Sequence, residues 1–220
     1  RFANGEAKIT LEETARGKVQ QYGYQVLNTY SHPRPRQSFT QGLSYYKGHL
    51  YESTGLKGKS SLRRLDLESG TIEKIIYLPH HYFGEGITIL QDKIYQLTWK
   101  ANTGFIYNMD FQKINKFHYP HQGWGITNDG KYLIISDGTD QLYFLNPKTL
   151  NKEYTIRVTM AGKALDQINE LEYIKGEIWA NIWHKNYIVI INPDSGKVRA
   201  KVNLEGIIDQ KDYDYELNVL

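Results

Sequence analysis

A segment of about forty residues written four times over governs what this chain can fold into. The short cores Phe39-Thr40-Gln41-Gly42-Leu43, Phe83-Gly84-Glu85-Gly86-Ile87, Gly123-Trp124-Gly125-Ile126 and Ile168-Asn169-Glu170-Leu171 place Gln41, Glu85, Trp124 and Asn169 at one repeat position, 44, 39 and 45 residues apart. Such a period belongs to propeller blades or repeat arrays. If the copies stand around an axis, four chemically different side chains converge at one place. A repeated scaffold that varies its chemistry at one position points to a site.

Each copy carries the signals of four strands. After the core strand comes a turn: Lys47-Gly48, Asp92-Lys93, Asp129-Gly130 or Lys175-Gly176. Gly and Asp-Gly between apolar runs are hairpin signals, because primed turns need positive φ. A second and third strand follow, and then a turn such as Asp66-Leu67-Glu68-Ser69-Gly70 or Asn192-Pro193-Asp194-Ser195-Gly196. The fourth strand alternates and carries charge, as in Lys197-Val198-Arg199-Ala200-Lys201-Val202. That composition suits an outer edge, where charge discourages pairing with other chains. The expected fold is therefore all-β: a β-propeller of four-stranded antiparallel blades. A β-sandwich or Greek-key barrel is the rival, but it does not require four-strand units to recur with matched turns.

The repeats span about 39–78, 83–120, 123–160 and 168–204, with an N-terminal extension over 1–21 and the propeller domain over 22–220. Residues 23–30 read as one more outer strand, which closes a blade with inner strands from the other end of the chain. The segment after residue 204 is too short for three strands at roughly five residues each. The expected ring is five-bladed, its last blade begun at about 208–220 and incomplete in this chain. A four-bladed ring with loose ends is the alternative.

Bulk composition excludes several classes. The net charge is +3 and the basic residues are scattered, so no nucleic-acid partner is expected. No apolar run approaches bilayer-spanning length, so no membrane partner is expected either. With no cysteine there is neither a disulfide nor a thiolate metal site. His80-His81 and His118-Tyr119-Pro120-His121 lack ligand spacing, and no metal site is expected there. No Walker loop, dinucleotide fingerprint or Gly-x-Ser-x-Gly motif is present.

The candidate chemistry lies at the start of the innermost strands, which face the mouth of a propeller channel. Gln41, Glu85, Trp124 and Asn169 stand there, and fourteen residues after Glu85 and Asn169 stand Trp99 and Trp183. The fourth tryptophan, Trp179, falls inside a strand and reads as core. Each residue has an ordinary structural explanation: a solvated carboxylate, a loop-capping amide, an indole packed between blades. Convergence of six at one end of the axis favours a small-ligand pocket. A carboxylate held among rings acquires a raised pKa and can move protons.

These motifs, with Leu50-Tyr51-Glu52-Ser53-Thr54-Gly55, Leu97-Thr98-Trp99, Asn169-Glu170-Leu171-Glu172 and Asn181-Ile182-Trp183, resemble the plant and bacterial glutamine cyclotransferases over about residues 24–220. The resemblance implies a five-bladed propeller that converts an N-terminal glutamine of peptides or proteins to pyroglutamate and releases ammonia, with no cofactor and no metal. It implies Glu85 as the catalytic proton shuttle and Gln41 and Asn169 as substrate hydrogen-bonding groups. Phe83, Trp99, Trp124 and Trp183 would wall the pocket. It also implies a lysine from the last blade, which corresponds to no residue here. Export, periplasmic or extracellular, is expected on the same ground, and a monomer because a closed propeller can stand alone. The alternative is a non-catalytic propeller that holds a peptide or sugar in its aromatic-lined axial pocket.

Overall fold

Two-residue turns fix the strand pairing. Lys47-Gly48 and Lys175-Gly176 have φ of 48° and 89°, and of 51° and 86°, the all-positive pattern of a type I′ turn. The equivalent turn of the second repeat is Gln91-Asp92, with φ of 52° and 56°. The sequence reading put this turn one residue later, at Asp92-Lys93; Lys93 instead pairs with Leu90 in the ladder. Asp92 gains from the shift: its carboxylate accepts hydrogen bonds from Lys47 Nζ at 2.8 Å and Tyr46 Oη at 2.9 Å. Two equivalent hairpins of neighbouring repeats are thereby tied together.

The computed structural model describes residues 19–30, 32 and 39–207, which contain no helix. Strand β1 is Gln20–Tyr22. The first blade is β2 (Thr40–Tyr46), β3 (His49–Thr54), β4 (Ser61–Asp66) and β5 (Ile72–Tyr77). The second is β6 (Gly84–Leu90), β7 (Lys93–Thr98), β8 (Thr103–Asn108) and β9 (Lys113–His118). The third is β10 (Ile126–Asn128), β11 (Leu133–Ser136), β12 (Gln141–Leu145) and β13 (Lys152–Arg157). A small hairpin, β14 (Thr159–Met160) and β15 (Lys163–Ala164), leads to the fourth blade. That blade is β16 (Ile168–Ile174), β17 (Glu177–Ile182), β18 (Tyr187–Ile191) and β19 (Val198–Asn203). Each blade is a sheet with its strands in chain order, antiparallel throughout.

Three apolar cores lie between successive blades. Tyr51 and Leu62 meet Ile87, Ile94 and Phe105 between the first and second blades. Tyr95 and Leu97 meet Leu133 and Ile135 between the second and third. Ile134 and Phe144 meet Leu171, Ile178 and Val189 between the third and fourth. Period-two alternation gives each inner sheet two apolar faces, one per neighbour. Each fully buried Leu or Ile adds about 1.5–3 kcal/mol of transfer free energy.

The axis is held by close backbone approach. A Cβ at Gly42 would lie 2.6 Å from Ile87 N, and one at Gly86 would lie 2.7 Å from Trp124 O. A Cβ at Gly125 would overlap the Asn169 carbonyl oxygen. In the first three repeats only glycine at this position lets each inner segment pack against the next, through to β16.

The strand expected over 23–30 does not form. Those residues belong to no strand, and Tyr24, Val26 and Leu27 are exposed. The N-terminal strand is Gln20–Tyr22 instead, so the expected 1–21 extension ends inside it. It pairs parallel with β19 as a fifth strand on the fourth blade. Arg199 anchors it: the guanidinium binds Glu177 with two bonds of 2.6 and 2.8 Å and reaches Gln20 Oε1 at 3.1 Å and Tyr22 Oη at 2.9 Å. Most of the expected extension, residues 1–18, lies outside the described residues, as does the expected start of a fifth blade at 208–220.

Candidate functional site at the axial mouth

The first strand of three blades is interrupted where its site residue stands. The β2–β3 register slips between Thr40 and Gly42, at Gln41. The β6–β7 register slips between Gly84 and Ile87, at Glu85-Gly86. The β16–β17 register slips between Ile168 and Leu171, at Asn169-Glu170. A bulge frees a residue from the ladder and re-aims its side chain. In the third blade Trp124 simply precedes β10. The four segments interlock: Gly86 N–H donates to Trp124 O at 2.8 Å, and Ser136 Oγ donates to Asn169 O at 2.6 Å. The predicted repeat position therefore lies on adjacent strands at one end of the axis.

An aromatic wall runs across the same end. Phe39 meets Phe83 edge-on with ring centroids 6.1 Å apart, and Phe83 lies 5.7 Å from Trp99. Trp124 meets Trp183 edge-on at 5.5 Å, and Trp183 rests against His184 at 4.0 Å. Between Trp99 and Trp124 stands Gln122, whose Oε1 accepts both indole N–H groups, at 2.6 and 3.1 Å. Trp179, expected as core, packs partly buried on the outer face of the fourth blade instead of joining this wall.

Two buried glutamates are pushed in opposite directions. Glu52 is fully buried, which pushes its carboxyl up, but His32, Thr40 and Arg63 outweigh that and hold it below its ordinary value. Its oxygens accept from Thr40 Oγ1 at 2.6 Å and Arg63 at 3.3 Å, which fixes the residue preceding Gln41. Glu85 is 6% exposed and has no such company. Burial alone pushes its carboxyl well above 4.5, and no cation among the described residues offsets this. Burial thus favours its neutral form, which is both a donor and an acceptor. Gln41 and Asn169 are 1% and 2% exposed, and Asn169 Nδ2 is buried without a partner among the described residues. A buried amide donor with no partner costs about 1–3 kcal/mol, which a ligand acceptor would recover.

Sequence reasoning missed three residues here. Gln122 lies between repeats, so no alignment could flag it. Phe39 opens the first core, where its sequence context marks it only as part of the motif. Glu170 did leave a signal, since it stands where the other copies have Gly42, Gly86 and Gly125. It is buried, and its carboxyl is pushed up by burial and then by Glu172, while the Leu43 backbone N–H pulls the other way. Burial lifts Glu172 to about 7. A carboxyl whose folded pKa exceeds its unfolded value stabilises the fold below the unfolded pKa and loses that contribution as pH rises through the folded pKa. Urea midpoints will therefore fall between pH 5 and pH 8. Glu172→Gln, which cannot ionise, will flatten that slope by about 1–2 kcal/mol. An unchanged slope would show that Glu172 titrates normally.

A β-propeller with a carboxyl, two amides and an aromatic wall at one axial mouth is the class of protein that this geometry defines. The chain matches the glutamine cyclotransferase family over residues 3–220, and it belongs to that family. A glutaminyl-peptide cyclotransferase from Arabidopsis thaliana is 42% identical over 169 residues, 76% of this chain and 53% of the relative. The chain thus spans about half the length of that relative. Myxococcus xanthus glutaminyl cyclase superposes with a TM-score of 0.78 at 32% identity, covering 84% of this chain and 78% of that one. The WD40 β-propeller domain of Doa1 superposes at 0.54 with 12% identity, covering 75% and 53%, a likeness of fold alone.

Proposed function

We propose that this protein is a glutaminyl-peptide cyclotransferase, converting the N-terminal glutamine of a peptide or protein to pyroglutamate and releasing ammonia. The observation that carries the reading is the buried, uncompensated carboxyl of Glu85 at an aromatic-walled mouth. Family membership and the names of the Arabidopsis and Myxococcus relatives support it.

Ring closure is intramolecular, so the enzyme must fold the substrate, exclude water and move protons. Gln41 and Asn169 hold the α-amine and the side-chain amide. Phe83, Trp99, Trp124 and Trp183 wall the folded glutamine. The neutral α-nitrogen attacks the side-chain carbonyl carbon, and a carbon–nitrogen bond forms. Glu85 gives its proton to the departing amide nitrogen and takes one from the attacking amine at its other oxygen. The old carbon–nitrogen bond breaks, ammonia leaves, and the carboxyl ends protonated as it began. Burial supports this role, because it raises the Glu85 pKa and makes the carboxyl a more willing proton carrier than an exposed one. No step demands anything of the residue after glutamine beyond room at the mouth.

Incubation with a Gln-initiated peptide will give a product lighter by one ammonia in the mass spectrum, while the N-acetylated peptide will not react. Binding without ammonia release from any such peptide would overturn the reading in favour of a propeller that only captures ligands. The same reading takes the protein as an exported monomer acting on peptides. Light scattering and cell fractionation test those two points, and a dimer or a cytosolic protein would refute them.

A further inference from the structure

We infer that Gln122 is the positioning residue that locks the indoles of Trp99 and Trp124 into one wall of the glutamine pocket, an inference that rests on the cyclotransferase reading. The two tryptophans come from different blades: Trp99 follows β7, and Trp124 precedes β10. Nothing in strand pairing fixes the angle between them. One side-chain oxygen does, accepting Trp99 Nε1–H at 2.6 Å and Trp124 Nε1–H at 3.1 Å. An indole N–H only donates, so two converging indoles require an acceptor with two lone pairs. That requirement also settles the amide's orientation, with the oxygen toward the rings and the NH2 turned away.

Gln122 is itself held from behind. Its backbone carbonyl accepts His121 Nδ1–H at 2.7 Å. The imidazole lies between Tyr143, stacked at 3.8 Å and 13°, and Tyr119 at 5.3 Å and 28°. Burial lowers the His121 pKa, against the pull of the Gln122 carbonyl and Asp137. Tyr143 Oη donates to Asp137 at 2.9 Å, and Tyr119 Oη donates to the Thr98 carbonyl, next to Trp99, at 2.8 Å. A rigid layer thus supports the side chain that joins the indole walls of the second and third blades. Groups that position a substrate act through such support, and small misplacement of a wall costs rate.

The test uses two variants of similar size. Gln122→Glu keeps an acceptor for both indoles, whereas Gln122→Leu keeps the volume and removes it. With a Gln-initiated peptide, Gln122→Leu will lower kcat/KM by about tenfold or more, mainly through KM, and Gln122→Glu will stay within about threefold of the parent. The Trp99 and Trp124 indole N–H resonances will move upfield together in the leucine variant and stay in place in the glutamate variant. Equal kcat/KM in parent and leucine variant, or equal damage by both substitutions, would overturn the inference. If the parent releases no ammonia, the cyclotransferase reading fails instead. The indole resonances then still report whether Gln122 couples the two rings.

Discussion

Glu85→Gln will abolish ammonia release, lowering kcat by about a thousandfold, while the fold stays intact. The amide matches the carboxyl in shape and keeps a donor group on one atom and an acceptor on the other, so substrate contacts persist and KM changes little. It cannot give up a proton near neutral pH, so the relay between attacking and departing nitrogen stops. The fold will not suffer, because the group it loses is a carboxyl that burial already disfavours in its charged form. Urea denaturation at pH 8 will give the variant equal or greater stability, since the parent must either keep a proton there or bury an uncompensated charge. Glu52→Gln is the informative contrast. There the carboxyl is ionised and paired with Arg63, and its loss leaves a buried guanidinium without its partner. That variant will lose stability, because the remaining bond to Ser61 Oγ does not replace the counter-charge. Parent-like turnover in Glu85→Gln would remove Glu85 from the chemistry.

The sequence showed the blades because turn chemistry and alternation are local. Lys47-Gly48 and Lys175-Gly176 declare their turns through residues that accept positive φ. What escaped was set by partners distant in sequence. Tyr24, Val26 and Leu27 are strand-like in their apolar content, but Gln20–Tyr22 forms the strand because β19 and Arg199 receive it. The bulges at Gln41, Glu85 and Asn169 depend on the register of the neighbouring strand, which no single segment encodes. The repeat position itself was legible as a place of unlike side chains. Why those side chains escape the ladder was not. Gln122 lies outside the repeat, and its role exists only because two indoles from separate blades meet it.

The glycines after those side chains carry the second large effect. Gly125→Ala will destabilise the protein by about 3 kcal/mol, lowering Tm by roughly 6–12 °C. The added methyl has no room, since its carbon would overlap the Asn169 carbonyl oxygen and lie 2.8 Å from Glu170 Cα. Both are backbone neighbours on β16, so no side chain can turn aside to relieve the clash. The strands must part, and the parting falls on a junction that Ser136 pins from two sides: Gly125 N–H donates to its hydroxyl oxygen at 2.8 Å, and its hydroxyl donates to Asn169 O. Trp124 and Asn169 would then separate, so the folded fraction of the variant will also turn over poorly. Gly176→Ala provides the control. That residue has a φ of +86° in the β16–β17 turn with nothing within 4 Å of an added Cβ, so it meets only backbone strain, about 1 kcal/mol. The same methyl should thus cost modest stability and no activity at Gly176, and much of both at Gly125. Equal losses at the two positions would mean that the inner strands tolerate separation, and that the site does not depend on the closeness of the blades at the axis.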